Sequence, residues 1–224
     1  MSRPSVFSPS PPGRAKGEGR ETVVLVHGLW LTGLESIVLR RRLRALHYEV
    51  RQFRYRTVSA SLEDNAGALH DFIAGLDTAV VHLVGHSLGG LVILRAVERF
   101  ADLPPGRVVL LGSPVAGSRA AAGFARHGWG RRMLGRSVAD GVLELPVWRA
   151  GGRDIGVIAG SLGIGLGCLW ARLDEPHDGT VMVAETRLTD ATAHRVLPVT
   201  HFGLLFSRDT AAEVAHFLEL GRFT

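Results

Sequence analysis

The chain has 224 residues, of which 46% are hydrophobic and 21% charged. This balance excludes wholesale disorder, and the length suits one folded domain without metal or disulfide staples. A single cysteine, Cys168, excludes an intramolecular disulfide framework and a cysteine-based zinc site. The net charge of +5 comes almost entirely from arginine, and Arg40–Arg44 forms a cluster with helical spacing that indicates a solvated helix face.

From the sequence we expect neither a secretory signal nor a membrane helix. Residues 1–20 are rich in proline, serine and glycine and lack an apolar core, so we expect a flexible tail rather than a secretory signal, and a cytoplasmic protein. The longest uncharged run, 155–171, is interrupted by glycines and is too short for a membrane helix. No recognition motif for nucleic acid occurs, and the sequence leaves peripheral membrane contact and oligomeric state open.

Residues 21–224 alternate between predicted strands and helices, which indicates one α/β domain with a mainly parallel sheet and helices on both faces. The predicted strands are Thr22–Val26, Glu49–Val58, Ala79–Val84, Arg107–Leu111, Asp154–Ala159 and His194–Val199. The predicted helices are Leu34–Leu46, Leu62–Leu76, Leu88–Phe100 and Asp209–Leu220. The connection 113–153 is too long for a plain link, and we expect it to pass over the carboxyl edge of the sheet as a cap or lid.

The strongest chemical signal is the segment Gly85-His86-Ser87-Leu88-Gly89-Gly90, between a predicted strand and a predicted helix. A G-x-S-x-G sequence in that context is typical of a nucleophile elbow, in which a strained turn presents the serine hydroxyl. The glycines allow strand and helix to approach closely. Ser87 is therefore the candidate nucleophile.

A serine nucleophile needs two N–H donors for the oxyanion of its tetrahedral intermediate. One donor is expected to be the backbone N–H of Leu88, directly after the serine. The other is expected in the loop after the first strand, where Gly28 permits a sharp turn and the Leu29 N–H follows. We assign His27 a structural role, and Trp30 lies beside the expected donor.

These segments resemble the α/β-hydrolase superfamily, and within it the small lipases and esterases. The resemblance rests on His27-Gly28, on the elbow and on the stretch from Asp178 to Phe223, and it covers about residues 22–224. It implies a sheet of roughly six strands that lacks the first two strands of larger members. It also implies a triad in the chain order serine, acid, histidine.

The resemblance implies that the acid follows the penultimate strand and that the histidine follows the last strand. His201 follows the sixth predicted strand and is the expected base. Asp178, in a D-G-x-V segment, is the expected acid, with Asp174 and then Glu175 as the alternatives.

The sequence therefore predicts a serine hydrolase that cleaves carboxylic esters of lipid or acyl type through an acyl-enzyme, with no cofactor and no metal. Acyl transfer or thioester hydrolysis by the same triad is one alternative, and a non-catalytic interaction protein with this fold is another. The candidate substrate contacts are Trp30, Phe124, Trp129 and Trp148, with the last three lying in the long connection.

Overall fold

The computed structural model describes residues 21–144 and 146–224. The predicted tail, residues 1–20, lies outside the described residues. The predicted division into a tail, 1–20, and one domain, 21–224, with a cap at about 113–153 therefore stays a prediction.

The centre of the fold is a single six-stranded sheet with the strand order β2-β1-β3-β4-β5-β6. All five neighbouring pairs are parallel, and no described strand pairs antiparallel to the sheet, as the predicted minimal fold class requires. The strands are β1 (Thr22–Val26), β2 (Glu49–Phe53), β3 (Val81–His86), β4 (Val108–Leu111), β5 (Ile155–Gly160) and β6 (Ala193–Leu197).

Seven α-helices occur in the described residues: α1 (Ile37–Ala45), α2 (Leu62–Ala74), α3 (Leu88–Arg99), α4 (Arg119–Ala125), α5 (Gly128–Val138), α6 (Gly203–Phe206) and α7 (Arg208–Leu220). A π-helical turn, Ala139–Leu143, and two 3₁₀ turns, Leu166–Leu169 and Ala184–Thr186, complete the helical structure of this part of the chain. Local sequence explains several boundaries. Ser61 and Asp64 form a reciprocal capping box at α2, and Gly221 ends α7 in a left-handed conformation with φ of 71°.

The helices cover both faces of the sheet, and each face has its own buried cluster. Leu69 of α2 and Leu91 of α3 belong to the cluster on one face. Leu39 of α1 and Phe217 of α7 belong to the cluster on the other. The strands between them, such as β1 and β5, are buried along their whole length, which explains their continuous apolar sequences.

Several predicted element boundaries differ from the structure, and two helices were not predicted at all. Strand β2 ends at Phe53 rather than Val58, although residues 54–58 are also rich in strand formers. Strand β3 continues to His86 rather than ending at Val84, because His86 still pairs with Leu111 of β4. The long connection between β4 and β5 contains α4 and α5, which the sequence analysis did not predict.

Candidate active site

The candidate nucleophile lies at a strained turn between β3 and α3. Ser87 has φ of 54° and ψ of −124°, a conformation that side chains other than glycine rarely adopt. A Cβ on Gly85 would lie 2.6 Å from the Gly90 Cα atom, and one on Gly89 would lie 2.3 Å from the Val26 carbonyl oxygen. Glycine is therefore required at both positions, and the serine is held at the amino end of α3, where the helix dipole favours negative charge.

The candidate acid and base form a buried pair. The Asp178 Oδ2 atom lies 2.7 Å from the His201 Nδ1 atom, and the two residues are 1% and 6% exposed. The other carboxylate oxygen, Oδ1, accepts hydrogen bonds from the backbone N–H groups of Thr180 and Val181, at 2.9 and 2.8 Å. This arrangement fixes the carboxylate and directs one oxygen at the imidazole.

The electrostatics of this pair favour an ionised carboxylate. Burial raises the pKa of Asp178, but the charge of His201, its hydrogen bond and the two backbone donors outweigh burial, so that the pKa lies below its usual value. An ionised Asp178 accepts the Nδ1 proton of His201 and leaves Nε2 free to take a proton.

The loops that carry the pair are also tied to each other through the backbone. The His201 N–H donates to the Asp178 carbonyl oxygen at 2.8 Å. Asp174, by contrast, is exposed and forms an ion pair with Arg172 at 2.7 Å, and Glu175 is exposed. The structure therefore brings Asp178 to His201 and places the two alternative acids elsewhere on the surface.

The expected oxyanion donors lie on two segments that pack tightly together. Besides the Val26 oxygen, the His27 carbonyl oxygen lies 2.5 Å from the position of a Cβ on Gly89, so the start of α3 rests directly on the loop after β1. A Cβ on Gly28 would lie 3.2 Å from the Ser87 Cβ. Neither the Leu29 N–H nor the Leu88 N–H donates a hydrogen bond to another described residue, so both remain available to a ligand.

Ser87, His201 and Leu29 line one cavity of about 310 Å³. No hydrogen bond joins the Ser87 hydroxyl to the His201 ring within the described structure. Catalytic hydrogen bonds of this kind often become well aligned only in the complex with substrate. Most of the remaining wall is apolar: Trp30, Phe124, Leu134, Val138, Ile164, Leu166, Trp170 and Phe202.

The structure places only two of the four predicted substrate contacts in the cavity wall. Trp30 and Phe124 line the cavity. Trp129 does not, but its ring packs edge-on against Phe124 at 5.1 Å. The prediction that Trp148 contacts substrate is corrected. This residue is 5% exposed and lies outside the cavity, and its indole N–H donates to the Val115 carbonyl oxygen, so its role is core packing. Trp170, which was not among the predicted contacts, lines the cavity instead.

Two supporting residues escaped the sequence analysis. His86 donates from Nε2 to the His201 carbonyl oxygen at 3.0 Å, and burial together with the neighbouring His201 lowers its pKa to about 3. The Tyr55 hydroxyl donates to the His27 carbonyl oxygen at 2.8 Å, and its ring stacks on the imidazole of His27. No sequence signal marks Tyr55, whereas His86 lies inside the elbow motif and could have been singled out.

Gly112, directly after β4, is a third position that the sequence analysis missed. Its φ is 56°, and a Cβ there would lie 3.1 Å from both the Asp178 Oδ2 and the His201 Nδ1 atoms. A side chain at this position would therefore press on the acid–base pair. A glycine that directly follows a predicted strand was the available signal.

Within 21–144 and 146–224, no group of three or more histidine, cysteine, aspartate or glutamate side chains is arranged to hold a metal ion. No helix in the same part of the chain is long and apolar enough to cross a membrane.

Comparison with known proteins identifies the family from sequence. Residues 23–220 match the model of the alpha/beta hydrolase family. No curated protein matches the chain.

Solved structures give further matches to the fold. The mature lipase BlEst2 of Bacillus licheniformis superposes with a TM-score of 0.72 at 18% identity, over 95% of this chain and 96% of that one. A metagenomic carboxyl esterase gives a TM-score of 0.69 at 19% identity, over 95% and 79%. The phospholipase PlaB of Legionella pneumophila gives 0.66 at 15% identity, over 90% of this chain and 60% of that one. At these identities the likeness is one of fold.

Proposed function

This chain belongs to the alpha/beta hydrolase family, and from that premise we propose that it is a serine hydrolase that cleaves carboxylic esters with lipid-like acyl groups. The observation that carries the proposal is the meeting of three features at one cavity. These are the strained Ser87, the buried Asp178–His201 pair and the backbone N–H groups of Leu29 and Leu88, which donate to no described residue.

In the proposed reaction, the Ser87 hydroxyl attacks the ester carbonyl while the His201 Nε2 atom takes its proton. Asp178 holds the Nδ1 proton of His201 and stabilises the imidazolium that forms. The protonated His201 then gives its proton to the leaving alcohol oxygen, and an acyl-enzyme remains. Water, deprotonated by His201, attacks this ester and regenerates the free hydroxyl of Ser87.

The tetrahedral intermediates of both steps carry a negatively charged oxygen. The Leu29 and Leu88 N–H groups are proposed to donate to it, and the positive end of α3 lies behind the second donor. Removal of one such donor typically costs about 10²–10³ in rate. The start of α3 is fixed against the loop after β1, so both donors are pre-positioned before substrate arrives.

The apolar wall of the cavity favours an acyl chain over a polar substrate. Phe124, Trp170 and Leu134 supply aromatic and aliphatic surface in the cavity that Ser87 also lines, and the described lining includes no aspartate, glutamate, lysine or arginine. Each buried methylene contributes about 0.8 kcal/mol, so a longer chain is expected to bind more tightly until the cavity is full.

The proposal is tested with a series of p-nitrophenyl esters from acetate to palmitate. We expect kcat/KM to rise with chain length and then to level off once the chain exceeds the cavity. Release of p-nitrophenol without a change along the series would support hydrolysis but contradict the apolar acyl site. Failure to turn over any ester, with intact secondary structure by circular dichroism, would contradict the proposed function.

A further inference from the structure

The mouth of the cavity is surrounded by apolar side chains that face solvent. We call these five residues the rim: Trp30, Ile164, Leu166, Trp170 and Phe202, which are 54%, 69%, 73%, 37% and 48% exposed. Large apolar side chains gathered at one place on a surface mark a binding face for protein or membrane. Single apolar side chains scattered over a surface would need no explanation, but these five surround the mouth of one cavity.

The rim is continued by neighbouring exposed residues on two segments. Leu169, 72% exposed, lies between Leu166 and Trp170 in the uncharged stretch 155–171 but does not line the cavity. Trp129 of α5, 54% exposed, packs against Trp170 with ring centroids 6.0 Å apart. The Trp30 indole N–H donates to the Met133 carbonyl oxygen at 2.9 Å, which ties α5 to the loop after β1.

The segment beside the rim is strongly basic. Residues 112–139 contain five arginines, one histidine and no aspartate or glutamate. Arg131 and Arg132 lie between Trp129 and Met133 on α5 and are exposed. Neither they nor Arg126 forms an ion pair with a described residue.

The other charges near this face do not cancel these arginines. Arg119 and Arg172 share the single carboxylate of Asp174, so that group carries one net positive charge. Glu185 is buried and accepts from the backbone N–H groups of Arg119 and Met182. Arg136 acts electrostatically on Asp64, which lies at the amino end of α2.

We propose that the rim and the arginines of α5 form one docking surface for an anionic lipid membrane, which places the cavity mouth against the bilayer. Apolar side chains that enter the acyl region, flanked by cations at the level of the headgroups, are the arrangement that binds such interfaces. An uncharged protein partner would leave the arginines without a role. A neutral bilayer would do the same, because only anionic headgroups attract them.

Binding is measured by flotation with vesicles of phosphatidylcholine alone and of equal parts of phosphatidylcholine and phosphatidylglycerol. The full chain carries Ser87→Ala, so that binding is read without turnover and does not depend on the proposed reaction. We expect binding to the anionic vesicles only, and a loss of binding at high salt. Equal binding to both vesicles, or none to either, would overturn the proposal.

The basic part of the surface is tested by Arg131→Gln with Arg132→Gln. Loss of two charges at about 1 kcal/mol each corresponds to an affinity about thirtyfold weaker for anionic vesicles. The matched control removes two exposed arginines elsewhere, Arg187→Gln with Arg222→Gln. Arg187 acts electrostatically on His194 in β6, and Arg222 follows α7. We expect little effect from the control pair. Equal losses in both pairs would show a net-charge effect and overturn the assigned face.

The apolar part is tested by Leu169→Gln, with Leu220→Gln as the control because Leu220 is 50% exposed at the end of α7. We expect Leu169→Gln to bind vesicles about tenfold more weakly and Leu220→Gln to bind them as before. Cys168, exposed and next to Leu169, provides a reporter when labelled with an environment-sensitive fluorophore. A blue shift on anionic vesicles is expected. No shift, or self-association of the chain in place of vesicle binding, would contradict the proposal and assign the rim to another occupant.

Discussion

The elbow and the rim of the cavity differ in how tightly their residues are held. At the elbow, Gly85 and Gly89 leave no room for a Cβ, and Ser87 is held in a strained conformation. Around the cavity mouth, in contrast, the rim residues are large, apolar and largely exposed. The elbow holds the reacting atoms in fixed positions, whereas the exposed side chains of the rim can be replaced one at a time with graded effects. Substitutions in the first should therefore abolish the reaction, and substitutions in the second should redirect it.

The largest effect is expected from Ser87→Ala. Removal of the nucleophile in a serine triad lowers kcat by at least about 10⁴-fold, because no other group can form the acyl-enzyme. The matched control is Ser113→Ala: its hydroxyl is buried and has no hydrogen-bond partner among the described residues. We expect near wild-type ester turnover for the control. Comparable turnover in the two variants would contradict the assigned nucleophile.

The next largest effect separates the two candidate acids. In Asp178→Asn the amide group faces the His201 Nδ1 atom, favours the wrong tautomer and is expected to lower kcat by about 10³–10⁴. Asp174→Asn removes an exposed partner of Arg172 and should change kcat little. The measurement is the pair of kcat values on one short ester. The opposite ranking would move the acid to Asp174.

A smaller and selective effect is expected in the cap. Phe124→Ala enlarges the cavity and should raise the palmitate-to-acetate ratio of kcat/KM by a few-fold, since one methylene is worth about 0.8 kcal/mol. Trp148→Ala removes a buried ring outside the cavity and should lower the melting temperature while leaving that ratio unchanged. If both variants scale all esters alike, the cap has no part in chain selection.

The smallest effect concerns stability in acid. The pKa of His86 is lowered to about 3 by burial and by His201, whereas the unfolded chain takes up this proton below about pH 6.5. The unfolded state therefore binds more protons between these values, and the free energy of unfolding falls as pH decreases, by at most about 1.4 kcal/mol per pH unit. His86→Gln should show a shallower fall from pH 6.5 to pH 4 in urea titrations. Identical slopes would contradict the buried neutral state of His86.

The sequence predicted the parts of the molecule that depend on local patterns. Continuous apolar runs marked β1 and β5, and Ser61 and Gly221 marked helix ends, since each of these signals acts over a few residues. The fold class followed from the alternation of strands and helices and is confirmed. Ser87 came from one motif, whereas Asp178 and His201 came from the triad order that the resemblance to the α/β-hydrolase superfamily implies.

The parts that escaped prediction depend on contacts between distant segments. No signal in the neighbouring sequence distinguishes Trp148, which packs beneath Arg95, from Trp170, which lines the cavity. Helix α4 is only seven residues long and mostly alanine, and α5 contains three glycines, of which Gly135 is non-helical, so the sequence gives neither a clear helix signal. The role of Tyr55 depends on its proximity to His27, 28 positions away in the chain.

The central claim, that Ser87 is an activated nucleophile, is tested most directly by labelling with a fluorophosphonate. Such a probe reacts with a serine hydroxyl only where a base and an oxyanion site activate it. The account predicts one adduct per chain by intact mass, located at Ser87 by peptide mapping and absent from Ser87→Ala. A folded wild-type protein that takes up no probe, or that carries it on another serine, would contradict the account.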